Sequence, residues 1–296
     1  MNELPTQNSD SAKNSSPKLV SIWLNGKLVE RSEAAVSPFD HGFLTGDGVF
    51  ETMKTYGGRP FEYDRHYRRL ANAAKVFGLT MPSSEALLEA INAVLLANGE
   101  EKADVRLRVT LTGGEAPLGS EKGAAEETLV VASGALPDHP ETGAVVTVPY
   151  CRNERGALVG LKTTSYGENV IALKTAKEQG ANEAIFPNTQ GHLCEGTGSN
   201  IFLVLDGQLI TPPLSAGCLT GVTRAVVLEL CEKLGIEVKE IDVPIEQLAK
   251  ADEAFLSSTL REILPISAVD GVALTFPGPI SLRIREAFQE MVASVR

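Results

Sequence analysis

Three short segments carry residue types suited to amine, carboxylate and phosphate chemistry. In GALVGLKTTSY an apolar run delivers Lys162 into a turn of small polar residues. A lysine against an apolar wall has its ammonium form disfavoured, so its pKa falls and the free amine can attack an aldehyde. The plain alternative is a lysine capping a surface strand. In CEGTGSNIFLVLDGQLITPP, Glu195 precedes a glycine-rich turn and a largely apolar strand. A carboxylate buried there needs a cation, and a protonated pyridine nitrogen is one that could pair with it; a solvated turn glutamate is the alternative. In GCLTGVTRAVVLELC, Gly221 and Thr223 open a strongly helical segment. The free N–H groups and positive dipole end of such a helix make a phosphate site, although ordinary N-capping by threonine also explains the pattern.

The elements that must position these residues are legible from periodicity and turn signals. SIWLNGKLVE turns at Asn25-Gly26 and VFETMKTYGGRPFEY at Gly57-Gly58, both as hairpins. Helices are expected from Asp64 to Phe77 and from Ser83 to Ala97, the second with Leu87, Leu88, Ile91, Val94 and Leu95 at helical spacing. DVRLRVTLTGG alternates: Val105, Leu107, Val109 and Leu111 share one face, and Arg106, Arg108, Thr110 and Thr112 the other. GGEAPLGSEKGAAEE reads as a mobile loop and ASGALPDHPETG as a linker, with a boundary near Pro137. Beyond it, helices are expected from Asn169 to Gln179 and from Val222 to Leu234, with hairpins at 188–191 and Asp206-Gly207. The economical class is mixed α/β (α+β), in two domains over 18–136 and 137–296. The polar, turn-forming residues 1–17 read as a disordered tail.

Composition narrows the partners. The chain of 296 residues has 43% apolar residues and a net charge of -11, from 27 Lys and Arg against 38 Asp and Glu. That charge repels nucleic-acid backbones and anionic lipid, and no apolar run is long enough to span a bilayer. Cys151, Cys194, Cys218 and Cys231 stand singly and read as the reduced thiols of a cytoplasmic protein. His41, His66, His139 and His192 show no metal-ligand spacing, so no metal is expected; His66 reads as a helix-start residue and Trp23 as a packed strand residue.

Taken in order, the segments resemble the class IV aminotransferases, the fold-type IV pyridoxal phosphate enzymes that include branched-chain and D-amino acid aminotransferases and aminodeoxychorismate lyase. The resemblance runs from about Ile22 to the C-terminus. It rests on DHGFLTGDGVFETM, DRHYRRLANAAKVFG, LKTTSYGENVIALKTAKEQGANEAIF, CEGTGSNIF, LTGVTR and LSSTLREILP. It implies a small N-terminal α/β domain, a larger C-terminal barrel-like α/β domain, pyridoxal 5'-phosphate between them, and a homodimer acting on small-molecule amino acids and 2-oxo acids.

Residue by residue, Lys162 matches the Schiff-base lysine, which also moves the substrate proton, and Lys174 lies off the matched position within a helix. Glu195 matches the carboxylate facing the pyridinium nitrogen. Arg69, the backbone N–H groups of Val222 and Thr223, and the Thr259 hydroxyl match the phosphate pocket, while Arg65 and Arg68 read as surface residues. Leu219 matches the residue packed on the ring face. Tyr166 matches a tyrosine that bonds the ring hydroxyl, at a spacing one residue short. Phe50, Thr52, Arg106, Arg108 and Leu260 fall on the substrate side. Arg106 lines up with a carboxylate-side arginine of branched-chain enzymes, and Arg108 competes for that role. GGEAPLGS lacks the arginine and histidine that D-amino acid enzymes carry beyond this strand. Thr52 resembles the lyase pattern, the arginine of the lyase loop is absent, and Lys54 replaces an arginine of the branched-chain pattern. The resemblance ranks transfer on branched-chain amino acids first and aminodeoxychorismate lyase second. A noncatalytic cofactor-binding protein is the alternative from another class.

Overall fold

The computed structural model describes residues 21–295; the tail expected over residues 1–17 lies outside them. The first half forms β1 (Ser21–Leu24), β2 (Lys27–Glu30), α1 (His41–Leu44), β3 (Gly48–Tyr56), β4 (Arg59–Pro60), α2 (Tyr63–Phe77), α3 (Ser84–Asn98), β5 (Arg106–Thr112) and β6 (Thr128–Gly134). Its six strands form one sheet in the order β2-β1-β6-β5-β3-β4. The first hairpin turns where expected: Asn25 and Gly26 both have positive φ, at 46° and 89°, as a two-residue turn joining right-twisted strands requires. The alternation in β5 is real. Val105, Leu107, Val109 and Leu111 are buried against α2 and α3 in the first core, and Trp23 packs at its edge.

The second half contributes β7 (Gly143–Thr147), α4 (Gly167–Glu178), β8 (Glu183–Pro187), β9 (Leu193–Gly196), β10 (Asn200–Leu205), β11 (Gln208–Thr211), α5 (Val222–Leu234), β12 (Val238–Glu240), β13 (Glu253–Ser258), β14 (Glu262–Val269), β15 (Val272–Ala273) and α6 (Pro279–Ala293). The nine-stranded sheet runs β12-β11-β10-β13-β14-β7-β8-β9, with β15 on β14. β9 ends one edge, yet only residues 197–199 join it to β10, third from the opposite edge. A connection that short forces the sheet to curl, which is the barrel-like form expected from the resemblance.

Both faces of the curled sheet are buried, and the side-chain period of two sorts them. On β10, Ile201 and Leu203 enter one core, while Phe202 and Val204 enter another against α5 and α6. Phe202 stacks on Phe255 with centroids 4.8 Å apart. Tyr56 and Phe61 join this second core from the first half, with Phe61 edge-on to Phe288 of α6.

Three readings change in detail. The stretch read as a linker begins inside β6, so the crossing between sheets occupies 135–142. Helix α4 begins two residues before its expected start. Helix α6 was not expected at all, although Gly278 at its N-cap and Pro279 at N1 are start signals. No helix among the described residues is long and apolar enough to cross a membrane.

Candidate active site

A cavity of about 1060 Å³ is walled by both halves, and every site residue inferred from the sequence lines it. Lys162 is delivered by the edge of β3. Phe50 donates its N–H to the Lys162 carbonyl at 2.9 Å, and Thr164 donates to Gly48 at 2.8 Å, so the segment extends the β3 ladder by a bridge. The ammonium lies 4.4 Å from the Phe50 ring centroid and 5.7 Å from that of Tyr166. Burial lowers the Lys162 pKa to about 8; Arg69 and Arg108 push the same way, while Glu51 and Glu195 oppose them. Because only the free amine attacks, capture of an aldehyde by Lys162 is expected to slow about tenfold per pH unit below about 8 and to level off above it. Stopped-flow absorbance of apoenzyme mixed with pyridoxal phosphate measures this; an inflection near the ordinary lysine value refutes it. Lys174 is exposed on α4, 3.7 Å from Glu178, away from the cavity.

Glu195 sits on β9, buried, where a solvated turn glutamate would be exposed. Its carboxylate accepts from Arg152 Nε at 2.9 Å and from the Leu219 N–H at 2.8 Å. Burial raises its pKa; Arg152, the Leu219 N–H and Lys162 work against that rise. Arg152 was not singled out in the sequence. Its guanidinium lies 4.0 Å from the Phe186 ring centroid and reaches Glu168 at 3.1 Å, so stacking and two carboxylates fix its plane.

Arg69 is the other strongly oriented cation. Its Nε and Nη2 bind Glu51 on β3 at 2.7 and 2.8 Å, and its Nη1 donates to the Thr220 carbonyl at 2.8 Å. Burial alone would raise the Glu51 pKa, but Arg69 and the His66 ring, 2.7 Å away, hold it at about 2. His66 is therefore more than a helix-start residue: it lies in the first turn of α2, buried, on the carboxylate that orients Arg69. Arg65 instead pairs with Glu62 and Glu229, and Arg68 bonds the Asp64 carbonyl in its own helix.

Thr220 leads directly into α5. Gly221 stands at the N-cap with no side-chain cap, so Thr223 is not capping the helix. A side chain at 221 would collide with Asn200, whose amide holds the Leu219 carbonyl at 2.9 Å. Consecutive residues thus report the two polar anchors: the Leu219 N–H goes to Glu195 and the Thr220 carbonyl to Arg69. Two residues span at most roughly 7 Å. Ser257, Ser258 and Thr259 complete this wall from the end of β13, and the buried Ser257 hydroxyl has no partner.

Phe50, Thr52, Arg106 and Arg108 form the wall contributed by β3 and β5, with Thr52 opposite Arg108 in register. Arg108 lies 3.4 Å from the Phe50 ring centroid. The polar face of β5 is thus turned partly into the cavity. Tyr166 packs edge-on to Phe50 and donates its hydroxyl to the Thr197 carbonyl at 3.1 Å. Glu183, fully buried and also missed in the sequence, accepts from the Thr197 hydroxyl, the Gly198 N–H and Arg261. Pyridoxal phosphate fits this set: an amine of lowered pKa, a buried carboxylate, an unpartnered serine hydroxyl, and an uncapped helix start beside an oriented arginine.

The family model described as amino-transferase class IV matches residues 48–269. A putative branched-chain-amino-acid aminotransferase of Methanocaldococcus jannaschii is 35% identical over 275 residues, covering 91% of this chain and 96% of the relative. A D-alanine aminotransferase of Bacillus licheniformis is 32% identical, covering 92% and 97%. The crystal structure of a branched-chain aminotransferase from Thermoproteus uzoniensis with norvaline superposes with a TM-score of 0.88 at 32% identity, covering 93% of this chain and 95% of that one.

Proposed function

Because the chain belongs to the class IV aminotransferases, which depend on pyridoxal phosphate, we propose that it moves an amino group between a branched-chain L-amino acid and a 2-oxo acid. When bound, the cofactor supplies an electron-accepting ring for the pair left as the substrate Cα–H bond breaks. Lys162 Nζ would hold the cofactor and, once the substrate amine has taken its place, would carry the Cα proton as the freed general base; its pKa of about 8 suits that role near neutral pH. Glu195, oriented by Arg152 and the Leu219 N–H, keeps the ring nitrogen protonated by its charge. Arg69, the amides of Val222 and Thr223 and the Thr259 hydroxyl bind the phosphate, Leu219 packs on the ring, and Tyr166 bonds its hydroxyl. Phe50, Thr52, Leu260 and one of Arg106 and Arg108 receive the amino acid.

The observation that carries this reading is the convergence of Lys162, Glu195 and Arg69 on one cavity, with Glu195 and Arg69 held by adjacent residues of one loop. A noncatalytic cofactor binder has no use for a lysine of lowered pKa or a buried carboxylate in the same cavity. GGEAPLGS after β5 supports the L-series over the D-series, because it lacks the arginine and histidine of the D-amino acid pattern. We take 18–136 and 137–296 as the two domains of a cytoplasmic homodimer.

A second reading, aminodeoxychorismate lyase, is favoured by the Thr52 hydroxyl on the cavity wall opposite Arg108. Absorbance of holoenzyme mixed separately with L-leucine, L-glutamate, D-alanine and aminodeoxychorismate decides between them. Leucine is expected to bleach the visible band and release its keto acid. Pyruvate from aminodeoxychorismate, with a band no amino acid moves, replaces the first reading by the second. A band unmoved by all four overturns both.

A further inference from the structure

The hairpin loop that brings Thr259 and Leu260 to the cavity is closed by a residue ill suited to its backbone. Ser258 of β13 pairs with Glu262 of β14, leaving 259–261 as a three-residue loop. Glu262 has φ of +56°, a left-handed conformation that glycine takes without cost and a side chain disfavours. Three-residue hairpin loops often end on such a residue, and glycine is the usual choice. A glutamate there needs a reason, and its carboxylate supplies one: Glu262 Oε1 accepts from Lys54 Nζ at 2.5 Å and from the Tyr56 hydroxyl at 2.6 Å.

Both donors belong to β3, whose face has a continuous order. Phe50 and Thr52 line the cavity, and two and four residues beyond Thr52, Lys54 and Tyr56 reach Glu262. Lys54 lies 4.6 Å from the Tyr56 ring centroid, and Tyr56 is fully buried in the core shared with α6. The neighbouring Arg261 is pinned separately to Glu183, which also holds the 197–198 turn. The loop is thus clamped at two consecutive residues, one to each half of the chain.

We propose that Lys54 and Tyr56 are positioning residues that act through Glu262, holding the 259–261 loop so that Thr259 meets the phosphate and Leu260 the substrate. Lys54 does not itself line the cavity, so its charge acts on the hairpin and not on the substrate. The inference rests on the cofactor-pocket reading of Thr259 and Leu260.

The test uses full-length Lys54→Met, Glu262→Gln, the double variant and Glu262→Gly. Each is titrated as apoenzyme with pyridoxal phosphate and with pyridoxal, and assayed as holoenzyme for KM and kcat, with melting temperature recorded. Lys54→Met and Glu262→Gln are each expected to weaken pyridoxal phosphate about tenfold and to raise KM similarly, with pyridoxal affinity and kcat within about threefold, as expected for one weakened charged hydrogen bond. The double variant should be no worse than either single one, because the pair acts as a unit. Glu262→Gly, which favours the left-handed backbone without the anion, should recover most of the phosphate affinity. Additive losses, unchanged variants, equal losses for pyridoxal, or a glycine variant as weak as the glutamine one each overturn the proposal. If wild-type apoenzyme fails to bind pyridoxal phosphate, the pocket reading itself falls and this inference with it; normal wild-type binding with unaffected variants removes the inference alone.

Discussion

Lys162→Ala is expected to lose the visible band of the lysine-linked cofactor and to lower kcat by roughly 10,000-fold. The variant removes both the proposed covalent anchor and the group proposed to carry the Cα proton, and positioned proton transfer alone is worth about 100- to 10,000-fold. Cofactor affinity should fall far less, because the phosphate contacts proposed for Arg69, Val222, Thr223 and Thr259 do not involve this side chain. Small amines added to the variant can enter a cavity of about 1060 Å³ and take over the proton transfer. Partial rescue that rises with the amine's basicity is therefore expected. Absorbance of the loaded variant and steady-state rates with and without methylamine measure both effects. A retained band with kcat within tenfold of wild type would remove Lys162 from the chemistry.

Glu195→Gln tests the other electrostatic pole. Its side-chain carbonyl can still accept the Leu219 N–H, but the charge facing Arg152 is gone and Arg152 is left without that partner. Loss of one oriented charge at a reacting centre typically costs about 100- to 1000-fold in rate, so kcat is expected to drop about 100-fold at saturating cofactor. Stability should also fall, since a half-buried guanidinium loses a charged partner, a change of about 1–3 kcal/mol. The two effects are separable: single-turnover rates at saturating pyridoxal phosphate report the chemistry, and the melting temperature reports Arg152. If excess cofactor restores full turnover, Glu195 serves binding alone.

Local rules made some of this molecule legible before its structure. Asn25-Gly26 marked a hairpin because few other pairs tolerate two positive φ values in succession. Helix α5 runs over the expected Val222 to Leu234 because its glycine-rich entry and continuous apolar periodicity left little ambiguity. Lys162, Glu195 and Arg69, which line one cavity, were singled out because each lies in a segment whose residue order resembles a known family. Their partners were not found. Arg152 lies 43 residues from Glu195, and Glu51 lies 18 from Arg69; neither pairing has any period or spacing in the chain. The outward face of β5 shows the same limit. Alternation established that Arg106 and Arg108 share a face, but not whether that face meets water or a cavity.

The loop entering α5 also limits how this protein can vary. Glu195 and Arg69 are both held by main-chain groups of adjacent residues, through the Leu219 N–H and the Thr220 carbonyl. The separation between the two anchors is thus set by covalent bond lengths, not by side-chain packing. Substitutions at 220, and any at 219 except proline, which has no N–H, leave those backbone contacts available. Inserting or deleting one residue shifts the register by roughly 3.5 Å, more than a hydrogen bond can stretch, and detaches one anchor or the other. Surface hairpins of this chain can gain or lose residues at little cost, whereas the Leu219-Thr220 step behaves as a gauge whose length must be conserved.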